Sequence, residues 1–103
     1  VGPTPAPPGR PCGAVGPTTS YRMDAYTPRI LELGVLALMG KGRRSDNVRK
    51  ALKDHGAVYL ATLGGAGAYL SQHVKQMELV AFPELGPEAL FQMEVKDFPA
   101  IVI

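Results

Sequence analysis

Three strand-length apolar runs, at residues 35–39 (VLALM), 57–63 (AVYLATL) and 77–82 (MELVAF), are separated by stretches of a dozen or more residues. A connection that long is not a tight hairpin. It is the length of a crossover, which pairs the flanking strands in parallel and buries both faces of the sheet under helices. The runs carry almost no internal polar residue, as a strand covered on both sides requires. Residues 90–95 (LFQMEV) instead alternate apolar and polar positions, the mark of a half-exposed strand. After Asp97-Phe98-Pro99 the chain enters AIVI, again of strand character. The pattern predicts an α/β fold with a mixed sheet and an antiparallel ribbon near the end.

Between the strands, cap chemistry marks the helices. Thr18 or Thr19 caps a helical turn through residues 20–26, and Thr27-Pro28 starts a helix that stops at Gly34. Ser45 caps an amphipathic helix with Val48, Ala51 and Leu52 inward, ending at Gly56. The glycine-rich stretch after Leu63 opens a short helix through about Val74. Residues 1–17 (VGPTPAPPGRPCGAVGP) have few backbone donors for any ladder and read as a Pro/Gly-rich arm, either a tail or a strap. Residues 18–103 read as a single α/β domain.

Eleven basic and nine acidic residues give a net charge of +2, too balanced for a nucleic-acid footprint over the whole domain. Cys12 is the single cysteine, which rules out an internal disulfide, a closed zinc site or a complete iron–sulfur ligand set within the chain. That usage suits a reducing, cytoplasmic setting. The longest uncharged stretch, residues 56–74, is broken by glycines, Ser71, Gln72 and His73 and makes a poor membrane span. No metal site and no secretory leader are legible, and the chain, opening at Val1, reads as a fragment of something longer.

The residues that carry chemistry lie at turns. In GPTTSYRMD, residues 16–24, the threonine hydroxyls and free N–H groups meet at the start of a helical turn, where an anion is favoured. Arg22 is placed to fold back over the same spot with a forked donor suited to carboxylate or phosphate. GKG at residues 40–42 follows a buried strand, so Lys41 leaves the carboxyl end of the sheet, where open α/β folds hold ligands. It is not a Walker loop, lacking the spaced first glycine and the hydroxyl residue after the lysine. LGGAGA, residues 63–68, does not match a dinucleotide fingerprint and is read as a turn for close packing or for backbone approach to a neighbouring subunit. Arg43, Arg44, Asp24 and both histidines read as surface or structural groups. These residues alone admit two readings: a capped helix beside surface cations, or a small polyanion site for phosphate or dicarboxylate.

GPTTSYRMDAYTPRILELG, GKGRRSDNVRKAL, VYLATLGGAGAYL and PELGPEALFQMEVKDFPAIVI, in this order and spacing, resemble the C-terminal part or β subunit of class I fumarate hydratase and its relative L-tartrate dehydratase. The resemblance runs through essentially the whole chain. It implies a swivelling β/β/α-type domain belonging to an oxygen-sensitive hydro-lyase that interconverts fumarate and (S)-malate. It implies a 4Fe-4S cluster on a partner α subunit, none bound by this chain, and a higher oligomer. Carried onto matching positions, Thr18 corresponds to the proposed base, Thr19 and Arg22 to carboxylate binders, and Lys41 to a second cationic contact; Cys12 has no matching cluster role. Isolated from the α part, the fragment is expected to be inactive. L-tartrate dehydratase, or a non-catalytic assembly domain of the same fold, stands as the alternative.

Overall fold

The computed structural model describes residues 2–103. In chain order the elements are a 3₁₀ turn at Ser20–Met23, α1 (Thr27–Glu32), β1 (Ala37–Gly40), α2 (Asp46–Asp54), β2 (Val58–Thr62), α3 (Gly67–Ser71), β3 (Val74–Ala81), a second 3₁₀ segment at Pro83–Glu88, β4 (Leu90–Val95) and β5 (Ala100–Val102). They gather into two compact units. One is Thr18–Thr62 with Ala100–Ile103; the other joins Leu63–Pro99 to the segment that ends at Pro17.

The first unit holds a mixed three-stranded sheet in the order β1-β2-β5. β1 and β2 run parallel, Ala37 opposite Val58 through Gly40 opposite Ala61. β5 returns antiparallel to β2, with Leu60 opposite Val102. The crossover between the parallel strands is α2. Ser45 Oγ accepts from Val48 N at 3.3 Å, Asp46 lies in the first turn and Lys53 in the last, so cap and macrodipole agree with the chain direction. Val48 and Leu52, one turn apart, are buried against Leu31 of α1 and Tyr59 of β2, with Leu38, Ala51 and Ala57 at the margin. Each fully buried Val or Leu contributes roughly 1.5–3 kcal/mol relative to exposure. That cluster fixes the level at which β1 ends and the GKG turn begins.

The second unit pairs β3 with β4 as an antiparallel ribbon, Met77 opposite Met93 and Leu79 opposite Phe91, with irregularities near Lys75 and Val80. Residues 2–17 contribute no helix or strand, yet they are tied down. Thr4 N donates to Ala14 O and Gly13 N to Thr4 O, closing the intervening prolines into a loop. Cys12 and Val15 bury with Val74 against Met77, Met93 and Phe98. Val15 N then donates to Gly67 O at 3.1 Å. A Cβ on Gly16 would sit 3.4 Å from the Gly67 Cα, so the glycine turn before α3 serves a close backbone approach within the chain.

The parallel alternation expected from the three apolar runs stops after β2. The third run starts earlier than expected, at Val74, and pairs with β4 instead of joining the first sheet. The reason lies in its own pattern: Lys75, Gln76 and Glu78 are exposed while Met77 is half-buried, so the strand has one wet face, which an antiparallel ribbon tolerates and a sheet covered on both sides does not. No helix among the described residues is long and apolar enough to cross a membrane.

A candidate anion-binding corner

Thr18–Met23 and the GKG turn meet directly. Thr19 and Lys41 form an isolated parallel bridge. Ser20 N donates to Lys41 O at 3.0 Å, and Lys41 N donates to Ser20 Oγ at 2.8 Å. The expected threonine cap does not form: Thr19 occupies the cap position of the 3₁₀ turn, but its side chain makes no capping bond. The neighbouring serine supplies the hydroxyl instead and spends it on the other loop. Gly40, buried at the end of β1, makes room for this, since a Cβ there would lie 1.9 Å from Ser20 Oγ.

The corner therefore sets Lys41 beside Thr19, 22 residues earlier in the chain, with Thr18 and Arg22 carried on the same segment as Thr19. Thr18 and Arg22 are exposed, and Thr19 and Lys41 are half-buried. Among the described residues, no hydrogen bond or ion pair engages the four side chains. Two cations and two hydroxyls left without internal partners are chemically equipped to take a small anion, with guanidinium and ammonium donors giving charge-assisted bonds.

Behind the corner lies a polar network that spacing did not reveal. Arg44 Nε donates to Asp24 Oδ1 at 2.6 Å, and Ser45 N donates to Asp24 Oδ2 at 2.7 Å. Arg44 Nη2 also donates to Thr27 Oγ1 at 2.7 Å, and that hydroxyl donates on to Met23 O at 2.8 Å. The Arg44 guanidinium sits 5.2 Å from the Tyr59 ring centroid, and Tyr59 Oη donates to Gly42 O at 3.1 Å. The Arg44 and Asp24 side chains are 5% and 14% exposed, so this is a largely buried pair with both carboxylate oxygens satisfied. Desolvation pushes the Asp24 carboxyl up, but the bonds from Arg44 and Ser45 outweigh it and hold the group below the usual carboxylate range. A cavity of about 370 Å³ opens beside Arg44 and Tyr59, lined also by Arg43, Arg49, Leu52 and Ile103, with no acidic group on its wall.

The second unit contains the single cysteine and His73. Cys12 is 1% exposed, and burial pushes its thiol up against a smaller opposing pull from Arg10. His73 Nδ1 lies 3.1 Å from Lys96 O, a bond in which the ring nitrogen must donate. Among the described residues, no three His, Cys, Asp or Glu side chains gather as a metal-holding group.

A family model described as Fumarase C-terminus matches residues 1–103. The chain is 44% identical over 105 residues to the anaerobic class I fumarate hydratase of Escherichia coli (strain K12), covering all of this chain and 19% of that protein. Identity to fumarate hydratase 2 of Leishmania major is 43% over 105 residues, covering 100% of this chain and 18% of that one. A protein of Methanocaldococcus jannaschii named for the beta subunit of L(+)-tartrate dehydratase is 39% identical over 95 residues, 89% of this chain and 49% of its own length. The chain thus spans about a fifth of the fumarate hydratases it matches and about half of the tartrate dehydratase subunit.

Proposed function

The chain belongs to the Fumarase C-terminus family, and from that premise we propose that it is the substrate-gripping β part of a hydro-lyase that reversibly hydrates fumarate to (S)-malate. The observation that supports this reading is the Thr19–Lys41 bridge, which joins the segment carrying Arg22 to the turn carrying Lys41, neither side chain being engaged among the described residues. A dicarboxylate needs two separated cationic grips, and this corner offers at least one built for it. In the dehydrating direction a proton leaves the carbon next to a carboxylate while hydroxide leaves the adjacent carbon. Negative charge grows on that carboxylate as the proton departs, so Arg22 and Lys41 contribute most in the transition state. Thr19 donates a further hydrogen bond to the bound carboxylate. Thr18 is assigned the proton-taking role at the same corner. A threonine hydroxyl is a weak base at neutral pH, and neighbouring cations that stabilise its alkoxide are what bring it within reach of that task.

The residues of this chain do not fit an iron–sulfur cluster: a cluster needs several thiolate ligands, and the one cysteine is buried in an apolar core with Val15 and Val74. The cluster is accordingly assigned to a partner α part, in a larger cytoplasmic assembly whose β portion is a swivelling β/β/α domain. Similarity to a tartrate dehydratase subunit supports a second substrate assignment, L-tartrate. An anaerobic assay of the assembled enzyme on fumarate, L-tartrate and methylated fumarates separates the two. We expect fumarate to have the highest kcat/KM by at least about tenfold, since one missing substituent in a fitted pocket is worth about 10–200-fold. A preference for tartrate would replace the substrate assignment, and turnover of none of them would end the hydro-lyase reading.

A further inference from the structure

We infer that Asp24 and Arg44, with Tyr59, are positioning residues of this site: they hold the two segments that carry Arg22 and Lys41 in one fixed frame. The inference rests on the reading of the corner as a substrate clamp and extends it to groups that never touch substrate.

Two segments carry the four candidate site residues, one from Thr18 to Asp24 and one from Gly40 to Ser45. They are joined at both ends. At the first, Ser20 and Lys41 exchange two bonds, Ser20 N to Lys41 O and Lys41 N to Ser20 Oγ. At the second, Asp24 receives Arg44 on one oxygen and Ser45 N on the other. Arg22 lies between the joints on one segment, and Lys41 stands at the first joint on the other. A loop pinned at one end swings; pinned at both, it has one geometry. The second joint is therefore what fixes the separation of the two cations.

Three details support positioning over mere stability. Arg44 uses two different nitrogens on two partners, Nε on Asp24 and Nη2 on Thr27, which a lysine's single point of charge does not reproduce. Tyr59 reaches across from β2 to hold the carbonyl of Gly42, the residue directly after Lys41, so the turn is braced from the sheet as well. The pair is also placed where it is electrically satisfied, with the carboxylate matched by a guanidinium and a helix-capping N–H. It therefore leaves the field of Arg22 and Lys41 free for a ligand instead of competing for it.

The test uses the anaerobically assembled holoenzyme with fumarate as the probe. Displacing a gripping group by about an ångström costs on the order of a hundredfold, and loss of supporting partners around a site typically costs about 10–100-fold. Asp24→Asn should therefore lower kcat/KM about 10–100-fold, with KM raised and kcat reduced together, in protein that keeps its cluster spectrum. Arg44→Lys should fail to restore the parent values. Tyr59→Phe keeps the buried ring, removes one bond and should raise KM about three- to tenfold; it carries the test alone if Asp24→Asn does not fold. A purely structural role would lower the melting temperature of these variants and leave KM of the folded enzyme within twofold, and that result would overturn the inference. Arg22→Ala, run in parallel, keeps the two levels apart. Its full activity would sink the clamp reading itself, whereas its loss of activity beside unchanged kinetics in Asp24→Asn and Tyr59→Phe would sink the positioning role alone.

Discussion

Arg22→Ala in the assembled enzyme should lower kcat/KM for fumarate by about a hundred- to a thousandfold, with almost no change in stability. The two halves of that expectation have separate causes. Arg22 is exposed, and no described residue bonds or pairs with its side chain, so truncation removes nothing that holds the fold. Surface changes of this kind fall within about ±0.5 kcal/mol. The catalytic loss follows from aiming a forked cation at a carboxylate whose charge rises during proton removal. Removing one preorganised donor at a developing anion costs roughly 2.7–4 kcal/mol, which is the fold-change named above. Arg22→Lys should recover part of the activity, because the charge returns without the planar pair of donors. Anaerobic steady-state kinetics read the result, and kcat/KM within threefold of the parent would remove Arg22 from the site.

Gly40→Ala should be the most damaging small substitution in the first unit, costing about 2–4 kcal/mol and disturbing the site with it. The added methyl would lie 1.9 Å from Ser20 Oγ, 3.0 Å from Ser20 Cβ and 3.2 Å from Tyr59 Oη. Gly40 cannot move aside easily, because it stands opposite Ala61 in the β1–β2 ladder. Ser20 must yield, which breaks its bond from Lys41 N. Overpacking costs about 1–3 kcal/mol and a lost hydrogen bond about 1 kcal/mol. Adding Ser20→Gly to Gly40→Ala vacates the space and should recover the packing part but not the bond. Denaturant midpoints measure both, and a Gly40→Ala protein within 0.5 kcal/mol of its parent would contradict the close packing of Ser20 over Gly40.

What was legible in the sequence, and what was not, follows from the range of the interactions. The Ser45 cap, the inward Val48 and Leu52, and the half-exposed strand at Leu90–Val95 each depend on neighbours within a turn or a strand repeat, and each stands where the pattern put it. β3 departs from the expected pairing because an apolar run reports how buried a strand is, not which strand it pairs with; the polar residues flanking Met77, namely Lys75, Gln76 and Glu78, are the available sign. The meeting of Thr19 with Lys41 depends on tertiary closure between segments 22 residues apart, and spacing suggested it only through the rule that ligands gather at the carboxyl ends of strands. Asp24 and Arg44 were invisible as a pair. Each alone is an ordinary charged residue beside a turn, and nothing local distinguishes the arginine that becomes buried from Arg43 next to it, which stays exposed. Ser20 was overshadowed by the two threonines before it, although the smallest hydroxyl side chain is the one that fits over a glycine.

The central claim is that the corner and the GKG turn together grip a dicarboxylate. Equilibrium binding of (S)-malate to the anaerobic holoenzyme, parent against Lys41→Met, tests it without requiring turnover. Loss of the charge partner of a bound carboxylate costs about 2–5 kcal/mol, so the dissociation constant should rise by about thirtyfold or more while the melting temperature and cluster spectrum stay at the parent values. Malate binding by Lys41→Met within twofold of the parent would contradict the claim.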